Sequence, residues 1–153
     1  MLGDKEVIIR LFLSVVIGGL IGLERQLHRR AAGLRTHILV SLGSCLIMLT
    51  SMYVFDIYKG VAGLDPSRIA AGVITGVGFL GAGAIIREPN GIKGLTTAAS
   101  LWVVSGIGLA IGCGFYTASL FTTALALIIL LFMGRIEVET LGKDRAKKQG
   151  GEG

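Results

Sequence analysis

The stretch from Gly94 to Gly134, GLTTAASLWVVSGIGLAIGCGFYTASLFTTALALIILLFMG, holds 41 residues without a charge or a histidine. As one straight helix it would run about 60 Å at about 1.5 Å per residue, twice the roughly 30 Å of hydrocarbon in a bilayer. It therefore predicts two antiparallel helices, each crossing a membrane. The break falls at Gly112-Cys113-Gly114, where glycines accept the positive φ of a tight turn and Tyr116 follows at an interface.

Outward from that stretch the pattern repeats. Ile69 to Ile86 and Ile38 to Phe55 each supply 18 residues without a charge, and Tyr53, Phe55 and Tyr58 give the second an aromatic edge. Leu11 to Leu23 supplies only 13, and Val7, Ile8 and Ile9 complete a span if Arg10 snorkels to the outer interface. The expectation is an all-α membrane protein of about five closely packed, Gly-rich transmembrane helices over residues 1–134, with a short basic tail at 135–153. Composition agrees: 16% of residues are charged, against about 25% in soluble domains, and the mean hydropathy is +0.75. Asp4 and Glu6 lead the first segment and no small-x-small cleavage site precedes Glu24, so that segment is expected to stay in the mature protein. Cys45 and Cys113 fall in apolar stretches and are expected to be reduced and buried.

The basic residues set an orientation. Arg25, Arg29, Arg30 and Arg35 follow the first span, Arg87 and Lys93 follow the third, and Arg135, Lys143, Arg145, Lys147 and Lys148 end the chain. Only Lys5, Arg10, Lys59 and Arg68 stand opposite those eleven. The larger group belongs in the cytoplasm, which places the N-terminus outside and requires an odd number of spans. The net charge of +5 thus reads as attraction to anionic headgroups, with no nucleic-acid partner expected.

Three polar groupings are the candidate functional residues. Glu24 and Arg25 close the first helix, and Arg35 and Thr36 open the second. A carboxylate at that depth needs a partner, so Glu24 is expected to pair with Arg35 or Arg25. Asp65 before Pro66 is a helix start, and it leaves Arg68 free to meet a headgroup or a nearby aspartate. Thr96 and Thr97 open the fourth helix with hydroxyls that can bond backbone carbonyls. No His-Glu-x-x-His, Gly-x-Ser-x-Gly or phosphate loop occurs, and His28 and His37 read as residues of a basic loop, so no enzyme is expected.

Between helices in lipid, close van der Waals contact replaces hydrophobic drive, and small residues mark contact faces. Gly18 and Gly22, Gly72 and Gly76, and Gly108 and Gly112 each sit four apart, Gly76, Gly83 and Gly106 lengthen such stripes, and the stretch holding Gly78, Gly81 and Gly83 is expected to pack in the same way. Trp102 is expected to pack against them. Glycine faces also suit a homo-oligomer.

Read together, Glu24-Arg25, Ala32-Gly33-Leu34-Arg35-Thr36-His37, Asp65-Pro66-Ser67-Arg68-Ile69-Ala70-Ala71, Gly78-Phe79-Leu80-Gly81-Ala82-Gly83 and Gly94-Leu95-Thr96-Thr97-Ala98-Ala99, with Leu101-Trp102 after them, resemble the MgtC/SapB family. The resemblance covers about residues 7 to 133. It implies a multi-pass protein of the bacterial inner membrane, tied to magnesium homeostasis or adaptation to low magnesium and in some members to virulence. Family members are usually described as magnesium transporters, and some resemble inhibitors of the membrane ATP synthase. Longer members carry a soluble C-terminal domain after the last helix. This sequence reads as a short form, ending within 20 residues of Gly134.

Magnesium is usually held by one or two carboxylates plus retained water, yet no ionisable side chain other than cysteine or tyrosine lies within the three long neutral stretches. The expected function is therefore a non-enzymatic regulator that needs no cofactor and docks on a membrane-protein partner within the lipid bilayer. The alternative is a channel or carrier for Mg2+ or another small solute, guided by carbonyls and hydroxyls around Gly81, Gly83, Thr96 and Thr97. Which residues hold metal, the sequence leaves open.

Overall fold

The structure, a computed structural model, describes residues 2–59, 65–89 and 91–149, with side chains to residue 132. Five helices follow one another: α1 (Asp4–Leu27), α2 (Leu34–Ile57), α3 (Ser67–Ala84), α4 (Leu95–Cys113) and α5 (Tyr116–Gln149). The first four are each long and apolar enough to cross a membrane. The apolar part of α5, Tyr116–Phe132, is 17 residues, about 26 Å of helix. It runs back along α4: Ala118 and Thr122 share a small cavity with Gly106 and Ala110, and Ala126 and Leu130 share another with Thr96 and Ser100. It therefore recrosses the thickness that α4 spans. Helix α5 continues into the expected tail as far as Gln149, and the basic side chains there lie outside those described.

The α4–α5 turn sits where the glycines place it. Gly114 adopts φ +85 and its N–H and that of Phe115 return to Ile111 and Ala110, which closes α4. Gly112, by contrast, stays helical and is buried. Between α3 and α4 lies a hairpin, β1 (Ile86–Glu88) with β2 (Gly91–Lys93), antiparallel with Ile86 opposite Lys93. It departs from the all-helical expectation, because three-residue strands are too short to show a period of two. The hairpin folds Gly94, at φ +91, onto the end of α3, where a Cβ would overlap the Ala84 carbonyl oxygen.

The bundle is apolar outside and partly polar within. Phe12, Phe79, Phe121 and Phe132 are more than 60% exposed, whereas Ser14, Ser41, Ser105 and Ser119 are fully buried. Water would penalise both arrangements and hydrocarbon permits both, since buried hydroxyls can bond carbonyls of the preceding turn, as those of Ser105 and Ser119 do. Ser14 donates to the Leu11 carbonyl at 2.7 Å and Ser44 to that of Val40 at 2.7 Å.

At the centre α2 is pressed between α1 and α4. A Cβ on Gly18 would stand 2.7 Å from Ser41 Cβ and 2.8 Å from the His37 carbonyl, and one on Gly22 would stand 2.8 Å from Leu34 Cα. From the other side, a Cβ on Gly108 would overlap the Ser41 carbonyl and one on Gly112 would stand 2.7 Å from Met48 Cβ. Around these contacts Ile17, Ile21, Cys45, Leu49, Val104, Ile107 and Ile111 form the apolar core.

Helix α3 is different. Val73 and Val77 pack with Leu101 and Ala32, and Gly81 makes ordinary contact with Ala98 at 3.5 Å. Gly72, Gly76, Gly78 and Gly83 instead face open space, with no atom within 4 Å of an added Cβ, so within this chain they seat no neighbouring helix. Trp102 is likewise 53% exposed beside Gly106 at the α4–α5 cleft, not enclosed by glycine faces. Of the two cysteines, Cys45 is buried as expected and Cys113 is exposed at the turn; both are free thiols.

Candidate functional site

Three helix ends converge to build one buried polar cluster. The last turn of α1 brings Glu24 and Arg25, the first turn of α2 brings His37, and the first turns of α4 bring Thr97 and Ser100. All five side chains are at least nine-tenths buried. Arg25 Nη2 donates to Thr97 Oγ1 at 3.1 Å, and Arg25 Nη1 lies 4.0 Å from Glu24 Oε2. The other carboxylate oxygen, Oε1, is 3.1 Å from His28 Nδ1. Glu24 therefore pairs with Arg25 and His28, and the expected alternative, Arg35, lies exposed on another face of α2.

His37 joins two of these helices. Its Nδ1 is 2.9 Å from the Gly33 carbonyl and its Nε2 is 3.0 Å from Ser100 Oγ. A carbonyl only accepts, so Nδ1 carries a proton by assignment from its partner. Ser100 Oγ also lies 2.8 Å from the Thr97 carbonyl, so its single proton serves either that oxygen or the imidazole. The expectation that His37 belongs to a basic loop is corrected: it is a fully buried helical residue. Its sequence signal was the spacing of four to Gly33 and to Ser41, which put it on the face that meets α1.

Two polar atoms of the cluster, Glu24 Oε2 and Arg25 Nε, make no hydrogen bond among the described residues. A buried pair of this kind is retained against its desolvation cost, which marks intramembrane charge as a functional candidate. Among the described residues no three His, Cys, Asp or Glu side chains come together as metal ligands.

The remaining expected residues scatter. Thr96 is exposed, while its neighbour Thr97 enters the cluster. Thr36 is exposed beside Arg35 along a groove between α2 and α3. Asp65 and Arg68 lie exposed at the opposite end of the bundle. There Asp65 Oδ1 accepts the Ser67 N–H at 2.8 Å, which starts α3 as its position before Pro66 predicts. Bonds from the Ser67 hydroxyl and then its N–H hold the Asp65 carboxyl below its ordinary value.

A second buried polar centre, which the sequence reading missed, lies at that same end. Arg10 is 5% exposed; its Nη1 donates to the Gly112 carbonyl at 2.6 Å, its Nε to Tyr116 Oη at 3.1 Å, and Glu6 completes an ion pair. The expected snorkelling to the interface is corrected. Arg10 turns inward because the α4–α5 turn offers a carbonyl and a phenol that hydrocarbon does not.

The sequence profile of the MgtC family matches residues 11–138. The chain belongs to the MgtC family. Among relatives of this MgtC-family chain, YhiD of Escherichia coli strain K12, named as a candidate magnesium transporter, is 45% identical over 141 residues, 91% of this chain and 66% of its own length. Protein SapB of Bacillus subtilis is 38% identical over 150 residues, 95% of this chain and 64% of SapB. Protein MgtC of Salmonella typhimurium strain LT2 is 42% identical over 120 residues, 78% of this chain and 49% of that protein. The chain thus spans between about half and two thirds of these curated relatives. No solved structure matches. Membership and the apolar helices together make this a multi-pass protein of the bacterial inner membrane.

Proposed function

We propose that this MgtC-family protein is a non-enzymatic regulator of magnesium homeostasis that acts by contact with other membrane proteins. The supporting observation is the closed centre of the bundle. Where an added Cβ would already sit 2.7–2.8 Å from neighbouring atoms, no hydrated cation passes between α1, α2 and α4, and magnesium gives up its water reluctantly. The proposed orientation has the N-terminus outside, residues 1–134 as the membrane domain and 135–153 as a basic cytoplasmic tail. That arrangement puts the Glu24–Arg25–His37 cluster at the cytoplasmic interface, within reach of a partner's helix ends.

Carriage of Mg2+ is the second reading, favoured by the name of the Escherichia coli relative and by the buried Glu24 oxygen that makes no hydrogen bond among the described residues. Liposomes containing purified protein and a trapped magnesium-sensitive dye separate the two. The expected result is influx no faster than in protein-free liposomes, from protein that supports growth at low magnesium in a strain lacking its own copy. Influx abolished by Arg25→Ala would overturn the regulator reading.

A further inference from the structure

We propose that the groove between α2 and α3 binds one anionic phospholipid of the surrounding bilayer, with the phosphate on Arg35 and Thr36 and an acyl chain laid against the glycines beyond them. The groove has a volume of about 830 Å³ and is almost wholly apolar. It extends from Arg35 to Ile47 on α2, about 18 Å along the helix at about 1.5 Å per residue. Gly43, Gly72 and Gly76 line it, and an added Cβ at any of them would touch nothing within 4 Å. The depth of the channel therefore comes from absent side chains, which suits a slender flexible chain.

Its polar end is chemically distinct. Arg35 is the second residue of α2, which the proposed orientation puts at headgroup depth, and among the described residues its side chain makes no ion pair or hydrogen bond. A guanidinium binds a phosphate through two parallel N–H donors, and the Thr36 hydroxyl beside it supplies a third. The other polar liner, Ser44, already donates to the Val40 carbonyl and adds no headgroup contact halfway down. One free cation at the mouth of a hydrocarbon-lined trough matches the charge pattern of an anionic phospholipid. A second copy of the chain fits less well, since a two-fold interface would set groove against groove and leave the space between them empty.

The test uses full-length protein carrying Trp102→Phe and, at the groove rim, Leu39→Trp, in phosphatidylcholine vesicles. Brominated acyl chains quench a nearby indole. Brominated phosphatidylglycerol should quench at about one fifth the mole fraction required of brominated phosphatidylcholine, the value of one basic residue near an anionic leaflet. Arg35→Gln should bring the two lipids to parity, while Arg35→Lys keeps most of the preference. Gly72→Leu with Gly76→Leu, introduced into the open groove, should abolish the preference with Arg35 in place. Equal quenching before Arg35 is changed, or a preference that survives Arg35→Gln, overturns the proposal. So does quenching by neither lipid combined with disulfide trapping of two copies through Gly76→Cys.

Discussion

Adding one methyl group at Gly18 or at Gly76 is the same chemical change in two opposite environments. At Gly18 the new Cβ would lie 2.7 Å from Ser41 Cβ and 2.8 Å from the His37 carbonyl. Carbon atoms prefer about 3.5–4.0 Å, so α1 and α2 must separate by roughly 1 Å and loosen the Gly22 contact one turn away. Overpacking of this kind costs about 1–3 kcal/mol. At Gly76 the Cβ would meet nothing within 4 Å, and alanine's better helix propensity contributes at most about 1 kcal/mol in the stabilising direction. Reversible unfolding in mixed detergent micelles, followed by circular dichroism, should show Gly18→Ala destabilised by about 1–3 kcal/mol. Gly76→Ala should be unchanged or up to about 1 kcal/mol more stable. Equal shifts of the same sign at both sites would refute the division between a closed α1–α2 contact and an open α3 face.

Other outcomes follow from the two polar centres and the α3 start. Arg10→Met should destabilise by about 1–3 kcal/mol in the same assay, because the Gly112 carbonyl loses a charged donor inside the bundle, while Tyr116→Phe should cost about 0.5–1.5 kcal/mol. Arg25→Met should cost about 3–5 kcal/mol by leaving Glu24 buried without its arginine, and adding Glu24→Gln should recover much of that loss; a double variant no more stable than Arg25→Met would count against the pairing. Asp65 has a folded-state value below its ordinary one, so its contribution is present above the unfolded value near ~3.9 and is lost as pH falls through the lower folded value. The stability difference between the parent protein and Asp65→Ala, measured across that range, should narrow on acidification and remain constant near neutrality.

The membrane class and the helix count were legible because both depend on composition and length. Forty-one neutral residues exceed one bilayer crossing, and Gly114 is where the chain reverses. Spacing alone could not separate the pair Gly18 and Gly22 from the pair Gly72 and Gly76. Both pairs sit one turn apart, and only the position of α2 decides which meets a backbone. The candidate site was half legible. Polarity at a helix end singles out Glu24, Arg25 and Thr97, and they do converge. Arg35, singled out by the same rule, falls on another face, because one residue along a helix rotates a side chain by about 100°. Arg10 was misread for lack of visible partners: Gly112 is 102 residues away and Tyr116 is 106.

That long reach bears on the order in which the molecule is completed. The first helix leaves the ribosome early, yet two of the acceptors that let Arg10 settle in an apolar interior are synthesised near the end of the apolar sequence. Until the last pair of helices arrives, Glu6, one turn away, is the available partner, and an arginine so exposed to lipid is costly. The final depth of the opening helix is thereby set by the closing hairpin, and the chain's beginning acquires its register from residues translated long after it.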